Sequence, residues 1–292
     1  MTTNALQGVW AAVLTPVDDA FAPIARLAIP YYAELLELGC DGLNVLGTTG
    51  EAMSLSSEQR LRYMAEIAGS GLPLSRLMVG TGSAALEDSV RLTKAAFDLG
   101  FAAALIMPPF FFRDVSHDGI VNYFDGLLSR AGATSGRVVL YNFPAMSGVT
   151  FVPELVDALV ERLPVAIVGI KDSSNDRSLQ QAIARSHPEI AVFPSSEEWI
   201  HDATARYAGC ISGSVALWPR LAKDVFEGRD GSAAQRLIAL RRAVAGPEML
   251  ARVRYLTAKA RDEATWKRPV PPLSPLSEDR AVALEQALSR CV

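Results

Sequence analysis

The sequence is poor in cysteine and histidine, and this scarcity excludes several kinds of site. The chain of 292 residues contains three cysteines and three histidines. Cys40, Cys210 and Cys291 lie far apart and form no C-x-x-C motif, which argues against a disulfide framework or a cysteine-ligated zinc site and favours a reducing compartment. The histidines form no H-E-x-x-H pattern, so we expect no metal centre.

Positive charge is not in excess, and no long apolar run occurs. The chain has 28 Lys and Arg against 32 Asp and Glu, a formal net charge of −4. This balance argues against a nucleic-acid binder, which needs a basic surface to neutralise phosphates. Neither a signal peptide nor a stretch long enough to span a bilayer is evident. We therefore expect a soluble, cytoplasmic protein with no membrane partner.

The chain does contain short apolar runs that alternate with longer amphipathic stretches. Eight runs are candidate strands, and they begin at Val9, Gly42, Leu77, Ala103, Arg137, Ala166, Ala191 and Cys210. Their continuous apolar character is typical of strands covered on both faces, as in a parallel sheet. Each run is followed by a stretch with helical periodicity.

This alternation predicts an α/β fold, a (β/α)8 TIM barrel with a C-terminal helical extension. We assign residues 1–225 to a TIM-barrel catalytic domain. Residues 226–292 are assigned to a C-terminal three-helix region, with helices near 232–246, 249–263 and 277–290. An open doubly wound sheet is the alternative fold, but it usually carries a glycine-rich phosphate loop after its first strand, where this chain has Leu14-Thr15-Pro16.

Residues at the carboxyl ends of barrel strands face the active site, and three such segments carry candidate chemistry. Gly47-Thr48-Thr49-Gly50-Glu51 combines glycines, which allow close approach of a ligand, with hydroxyl and amide donors that suit a small carboxylate. An ordinary turn in which a threonine caps the next helix is an equally good interpretation of this segment.

The other two segments end strands five and six. Tyr141 begins Y-N-F-P; its hydroxyl either enters the pocket as a proton donor and acceptor or belongs to a core tyrosine. Lys171 directly follows the apolar run that ends at Ile170. It is either a lysine that reaches solvent or pairs with Asp172, or a buried amine whose charged form is disfavoured, able to attack a carbonyl carbon.

The three segments together predict chemistry on a 2-oxo acid. Thr48 and Thr49 would hold the carboxylate, and Lys171 would form an iminium at the carbonyl carbon. The iminium withdraws electrons from the adjacent carbon, which permits cleavage or formation of a C–C bond. Tyr141 would move the proton between the substrate alcohol and the site.

At these motifs the sequence resembles the dihydrodipicolinate synthase / N-acetylneuraminate lyase family of class I pyruvate-dependent aldolases. The matching segments, spread along the chain, are Thr15-Pro16, Gly47 to Glu51, Gly80 to Ser83, Pro108-Pro109, Tyr141 to Pro144, Gly169 to Ser174 and Ile211 to Gly213. The resemblance implies a homotetramer of TIM barrels that needs no cofactor. It implies a Schiff-base role for Lys171 and a catalytic role for Tyr141.

The resemblance also implies which residues contact the substrate, and this sequence departs from the family pattern at two places. Thr48 and Thr49 match the carboxylate-binding pair of the family, with Gly50 in the same turn, and Ile211 matches a residue whose backbone carbonyl lines the site. Met146 stands where the synthase branch has an arginine that holds a second carboxylate, and a thioether cannot replace that guanidinium.

The second departure concerns a proton relay. Phe110, Phe111 and Phe112 stand where family members often have a tyrosine pair, one of which completes the relay across a subunit contact. Phenylalanine passes no proton, so either water or Thr49 would have to substitute or the chemistry needs less of a relay. The first possibility makes Thr49 a catalytic candidate as well.

The segment Y-N-F-P-A-M-S-G is most similar to the aldolases of sugar acids, including 2-keto-3-deoxygluconate aldolase. We therefore predict a lyase that splits a 2-keto-3-deoxy sugar acid into pyruvate and an aldehyde. Glu197, Glu198, Ser212 and Ser214 are candidates for binding its polyol tail. The alternatives are dihydrodipicolinate synthase, a family dehydratase, and a barrel that binds 2-oxo acids without turnover. Pyridoxal phosphate also uses a lysine Schiff base, but the sequence offers no cradle for its phosphate.

Overall fold

The eight predicted strands form one parallel sheet in the computed structural model, which describes residues 6–132, 137–228 and 232–291. The strands are β1 (Gly8–Ala12), β2 (Gly42–Val45), β3 (Leu77–Gly80), β4 (Ala103–Ile106), β5 (Val138–Asn142), β6 (Ile167–Asp172), β7 (Ala191–Pro194) and β8 (Gly209–Ser212). Their order in the sheet is β7-β6-β5-β4-β3-β2-β1-β8, the order of a barrel whose consecutive strands are neighbours.

The two edges of this sheet, β7 and β8, meet and nearly close the barrel. The backbone N–H of Ala208, just before β8, donates to the carbonyl of Val192 on β7 at 2.9 Å. Side chains of alternate strand residues fill the interior, among them Trp10, Met78 and Phe193. The fold predicted from the continuous apolar runs is therefore confirmed.

Helices cover the outside of the barrel. They are α1 (Ala25–Glu37), α2 (Ser57–Ala68), α3 (Leu86–Leu99), α4 (His117–Ala131), α5 (Pro144–Ser147), α6 (Pro153–Arg162), α7 (Arg177–Ser186) and α8 (Pro219–Phe226). Local sequence sets their ends: Ser56 and Gln59 form a capping box at the start of α2, and Gly100 ends α3 in the left-handed conformation.

One helix expected from the sequence is missing, because no α-helix joins β7 to β8. The chain there forms two short 3₁₀ helices, Glu197–Trp199 and Ala203–Ala205, and His201 lies in a turn between them. The Ser196 hydroxyl accepts from the N–H of Glu198, and the Asp202 carboxylate accepts from the N–H of Thr204. Such local side-chain bonds compete with the backbone bonds of an α-helix.

After α8 the described chain forms three further α-helices and no strand. They are α9 (Ala233–Val244), α10 (Met249–Arg261) and α11 (Glu278–Ser289), close to the predicted ranges. A short 3₁₀ helix, Ala264–Lys267, packs against α10. The division of the chain at residue 225 into two domains stays a prediction.

Candidate active site

Lys171 lies at the end of β6 with its amine inside the barrel mouth. Its side chain is buried, with the residue 3% exposed, and Nζ lies 4.3 Å from the centroid of the Tyr141 ring. Tyr141 and Lys171 are register partners on β5 and β6, so the pairing of the two strands brings the two side chains together. Among the described residues no carboxylate pairs with Lys171, and Asp172 bonds to groups elsewhere.

Tyr141 connects the amine to the loop after β2. It is 5% exposed, and its hydroxyl lies 3.2 Å from the hydroxyl of Thr48, where either atom can donate. The turn passes close to its own strand: a Cβ at Gly47 would lie 2.3 Å from Oδ1 of Asn44, so a larger residue there would displace the Asn44 side chain. The structure thus brings together three of the predicted residues, Lys171, Tyr141 and Thr48.

The remaining residues of the predicted carboxylate site lie where β2 and β8 end. Thr49 packs against Gly213, where a Cβ would lie 2.9 Å from the threonine hydroxyl. Ile211 is fully buried on β8 and belongs to the apolar filling of the barrel. Gly50 is buried behind the turn, where a Cβ would lie 3.0 Å from the Thr15 hydroxyl.

A cavity opens beside Tyr141 and Thr48. Its lining is contributed by β2 to β5 and the loops that follow them: Leu46, Gly47, Thr48, Met53, Gly80, Gly82, Leu105, Met107 and Tyr141. The wall is mostly apolar, with hydroxyl and backbone groups at one side. Tyr141, whose ring centroid lies 4.3 Å from Nζ of Lys171, is part of this lining, and Lys171 itself is not.

Arg60 supports this wall from behind, and the sequence analysis missed it. The guanidinium on α2 donates to the carbonyls of Gly80 and Gly82 at 2.9 and 3.1 Å, and burial lowers the pKa of Arg60 to about 10. A signal was available, because Arg60 shares the buried stripe of α2 with Tyr63, Met64 and Ile67. A charge on such a stripe indicates a specific internal partner.

Two departures from the family pattern lie at the outer rim. Met146 is on α5 and 52% exposed. Phe111 and Phe112 are 76% and 71% exposed and contact each other edge to face, whereas Phe110 packs against the apolar filling of the barrel.

The proposed polyol-binding residues are engaged with one another. Glu197 is fully buried, and one of its carboxylate oxygens accepts from the Ser214 hydroxyl at 2.5 Å. The Ser212 hydroxyl lies 3.1 Å from that of Ser214, and Nε of Arg241 lies 3.6 Å from the other Glu197 oxygen. Of the four candidates only Glu198 takes no part in these contacts. Its carboxylate accepts a hydrogen bond from Nε of Arg242 at 3.3 Å.

The sequence profile described as "Dihydrodipicolinate synthetase family" matches residues 5–290. The chain belongs to this family. The resemblance inferred from the motifs is thereby confirmed, and so is the expectation of an enzyme: the chain is a class I pyruvate-dependent lyase.

Relatives within the family carry different names. An uncharacterized DapA-like lyase of Chloroflexus aurantiacus is 34% identical over 297 residues, which cover 97% of this chain and 96% of the relative. The N-acetylneuraminate lyase of Rhizobium meliloti is 30% identical over 239 residues, 81% and 76% of the two chains. The putative 2-dehydro-3-deoxy-D-gluconate aldolase YagE of Escherichia coli is 26% identical over 297 residues, 95% and 96% of the two chains.

Solved structures of the family share the whole fold. A dihydrodipicolinate synthase from Agrobacterium tumefaciens superposes with a TM-score of 0.91 at 25% identity, covering 98% of this chain and 99% of that one. YagE in complex with pyruvate superposes with a TM-score of 0.86 at 22% identity, covering 98% of both chains.

Two kinds of feature are absent from the part of the chain that the structure describes. No helix there has both the length and the apolar character needed to cross a bilayer. No group of three or more His, Cys, Asp or Glu side chains within residues 6–132, 137–228 and 232–291 is arranged to hold a metal ion.

Proposed function

We propose that this enzyme is a Schiff-base aldolase that splits a 2-keto-3-deoxy sugar acid into pyruvate and an aldehyde. The observation that carries the proposal is the Lys171 amine, buried and without a carboxylate partner among the described residues, 4.3 Å from the ring of Tyr141. A buried amine beside a phenol and a hydroxyl-bearing loop suits imine chemistry on a 2-oxo acid.

The reaction uses these groups in order. The Thr48-Thr49 turn holds the substrate carboxylate, with the backbone carbonyl of Ile211 and the Gly50 backbone beside it. The Lys171 amine adds to the C2 carbonyl, and the Tyr141 hydroxyl gives its proton to the departing hydroxyl, so that water leaves and an iminium forms. Tyr141, deprotonated in that step and in hydrogen-bond contact with Thr48, then accepts the proton of the C4 hydroxyl while the C3–C4 bond breaks.

The products then leave in two steps. Cleavage releases the aldehyde, and the electron pair of the broken bond enters the enamine on Lys171. Tyr141 returns the proton to C3 of the enamine, which gives the iminium again, and water hydrolyses the iminium to pyruvate and the free amine while its released proton restores the Tyr141 hydroxyl. We also assign Thr49 to the proton transfer, in place of the missing tyrosine relay. No cofactor enters any step.

Met146 supports a sugar acid over a substrate with a second carboxylate. An exposed thioether at the rim offers no bidentate partner for a carboxylate, which disfavours the condensation with aspartate semialdehyde. Relatives named as a putative 2-dehydro-3-deoxy-D-gluconate aldolase and an N-acetylneuraminate lyase support the sugar acid, and relatives named 4-hydroxy-tetrahydrodipicolinate synthase support the condensation as the alternative. Sugar acids of this kind carry hydroxyls where the synthase substrate carries charge.

Reduction with borohydride in the presence of pyruvate tests the amine. We expect the mass of one reduced pyruvate adduct per chain, located on Lys171 by peptide mapping, and no adduct in the Lys171→Ala variant. Lys94→Ala is the matched control, because Lys94 is an exposed lysine paired with Asp98. An adduct elsewhere, or activity that survives in Lys171→Ala, would overturn the proposal.

A panel of substrates separates the reactions. Release of pyruvate from 2-keto-3-deoxy sugar acids supports the aldolase, and turnover of pyruvate with aspartate semialdehyde supports the synthase. Loss of water from a sugar acid without C–C cleavage supports a dehydratase. A protein that forms the adduct yet turns over none of these compounds is a 2-oxo-acid-binding barrel, and that result would contradict the aldolase.

Assembly as a homotetramer and residence in the cytoplasm belong to the same proposal. Phe111 and Phe112 support assembly, because two adjacent phenylalanines that are 76% and 71% exposed are typical of a surface that another chain covers. The cysteines support a reducing compartment, since Cys40, Cys210 and Cys291 are all free thiols.

A further inference from the structure

Directly behind Tyr141 and Lys171, two polar side chains join the ends of β5 and β6. Asn142 and Asp172 are register partners and are both fully buried. Side chains alternate along a strand, so these two point away from the barrel interior when Tyr141 and Lys171 point into it. The Nδ2 amide of Asn142 donates to Oδ2 of Asp172.

The second oxygen of the Asp172 carboxylate is also fully engaged. Oδ1 accepts from the Ser174 N–H at 3.0 Å, from the Ser174 hydroxyl at 2.7 Å and from Nε2 of Gln180 at 2.8 Å. Among the described residues no cation pairs with this carboxylate, so neutral donors alone hold it. A buried carboxylate with a complete set of donors fixes the geometry around it, because losing any donor is costly.

Asn142 also makes hydrogen bonds away from Asp172, through its side-chain oxygen and its backbone carbonyl. Its Oδ1 accepts from the backbone N–H of Phe151 at 3.0 Å, and its backbone carbonyl accepts from the N–H of Ser173 at 2.7 Å. The two side chains thus connect β5 and β6 to the segment before α6 and, through Gln180, to α7.

We infer that Asn142 and Asp172 are positioning residues that hold the ends of β5 and β6 in the register which places the Lys171 amine over the Tyr141 ring. The inference rests on the proposed function, because it assigns the pair a role in imine formation. Each member lies one residue beyond the group that it positions, so a shift of either strand end moves the amine or the phenol directly. Displacement of a reacting group by about 1 Å costs on the order of 10²-fold in rate.

An exchange of the two side chains separates this role from a purely structural one. In Asp172→Asn the single amide oxygen stays with the Ser174 and Gln180 donors, so its NH2 group faces the NH2 group of Asn142. In Asn142→Asp two carboxylates face each other, so each single variant loses the interstrand bond. The double variant Asn142→Asp/Asp172→Asn restores it with donor and acceptor reversed. The new amide oxygen at position 172 still accepts from Ser174 and Gln180, and the new carboxylate at position 142 still accepts from Phe151.

The measurement is the rate of borohydride-trapped adduct formation at saturating pyruvate, with half-saturation by pyruvate and the melting temperature measured beside it. We expect each single variant to form the adduct about 10²-fold more slowly. Half-saturation should change little, because the Thr48-Thr49 turn is untouched. The exchange variant should recover most of the rate. Asp176→Asn is the control, since Asp176 is an exposed cap of α7 in the same loop and its amide can still accept.

Five outcomes decide the inference. Slow adduct formation in both single variants, together with a near wild-type rate in the exchange variant, supports the inference. Single variants that form the adduct at the wild-type rate per folded chain overturn the inference. An exchange variant that recovers the wild-type melting temperature but not the rate of adduct formation overturns it too. Should a single variant fail to fold, Ser174→Ala removes one donor from Asp172, and an unchanged adduct rate in that variant overturns the inference too. A wild-type protein that forms no adduct overturns the proposed function and, with it, this inference.

Discussion

The guanidinium of Arg254 donates to the carboxylate of Glu51 at 2.5 Å, across 203 residues of chain. Both side chains are only 1% exposed. The second oxygen of Glu51 accepts from the N–H of Val270 at 2.6 Å. Arg254 also donates to the carbonyls of Thr15 and Trp266 at 3.0 and 3.1 Å. The turn that carries Thr48 and Thr49 is therefore anchored to the C-terminal helical region.

Breaking this ion pair should lower both the affinity for pyruvate and the stability of the folded protein. Arg254→Met leaves the Glu51 carboxylate buried without its cation, and such a loss destabilises a protein by about 3–5 kcal/mol. We expect a lower melting temperature and a higher half-saturation for pyruvate, because the adjacent Thr48-Thr49 turn loses its anchor. Thermal unfolding and adduct titration measure the two effects.

Another cation on the same helix provides the control for this variant. Lys259 pairs with Glu285 at 2.5 Å, but both side chains are exposed. Lys259→Met removes a surface pair that water and salt screen, so melting temperature and pyruvate titration should stay close to those of the wild type. Equal losses in Lys259→Met and Arg254→Met would contradict the anchoring role.

Removing the Tyr141 hydroxyl should separate imine formation from bond cleavage. Tyr141→Phe keeps the ring against which Lys171 lies but removes the oxygen that contacts Thr48 at 3.2 Å. General acid–base groups of this kind contribute roughly 10²–10⁴-fold. We expect a loss of that size in pyruvate release, with a detectable borohydride adduct. Tyr255→Phe, which removes a hydroxyl bonded to Glu285 between the C-terminal helices α10 and α11, should leave turnover nearly unchanged.

Part of this site could be predicted from the sequence, because it depends only on the residues that immediately precede Lys171 and Tyr141. Lys171 and Tyr141 each end an apolar run, and the ends of parallel strands meet at one face of a barrel. Two strands that are neighbours in the chain are also neighbours in the sheet, so the meeting of the two side chains could be predicted. The Asn142 and Asp172 pair obeys the same rule, one residue further along.

Contacts between distant segments were beyond sequence reasoning. No local pattern relates Arg254 to Glu51, and the pair exists only because α10 returns to the barrel mouth. Glu197 is one of the predicted candidates for binding the polyol tail of the substrate. The structure buries its carboxylate against Ser214 and Arg241, and Arg241 comes from α9. When a charged side chain is buried by residues that are distant in the sequence, no periodic pattern in the sequence indicates it.

The proposed homotetramer gives a prediction for the exposed phenylalanines. Phe111→Asp places a charge on an apolar surface that assembly would bury, which is unfavourable. We expect light scattering to report a smaller species than the wild-type oligomer. Phe111→Leu, which keeps the surface apolar, should assemble normally. An oligomer of unchanged mass in Phe111→Asp would show that this surface is free.

Stability at high pH should depend on Cys40. Burial raises the pKa of its thiol from the usual 9.0 to about 12. A group whose pKa is raised in the folded state contributes stability that is complete below its unfolded value and is lost as pH rises. We therefore expect the free energy of unfolding in urea to fall between pH 9 and pH 12. The decrease should be smaller in Cys40→Ala, and an equal decrease in both proteins would contradict the prediction.

Met146 offers the sharpest test of substrate preference. Its side chain is 52% exposed on α5, so a longer charged side chain fits there at little cost to stability. Met146→Arg supplies a planar fork that binds a carboxylate through two hydrogen bonds. We expect the ratio of kcat/KM for aspartate semialdehyde to that for sugar acids to rise roughly tenfold, the effect of about 1.4 kcal/mol.

Two further substitutions at position 146 identify the cause of any gain. Met146→Lys adds the same charge without the fork, so its gain should be smaller. Met146→Gln adds polarity without charge and should leave the ratio near that of the wild type. Equal gains with Arg and Lys would assign the effect to charge alone. No gain with Arg would mean that this position does not face the aldehyde, and the argument from Met146 for a sugar-acid substrate would then fail.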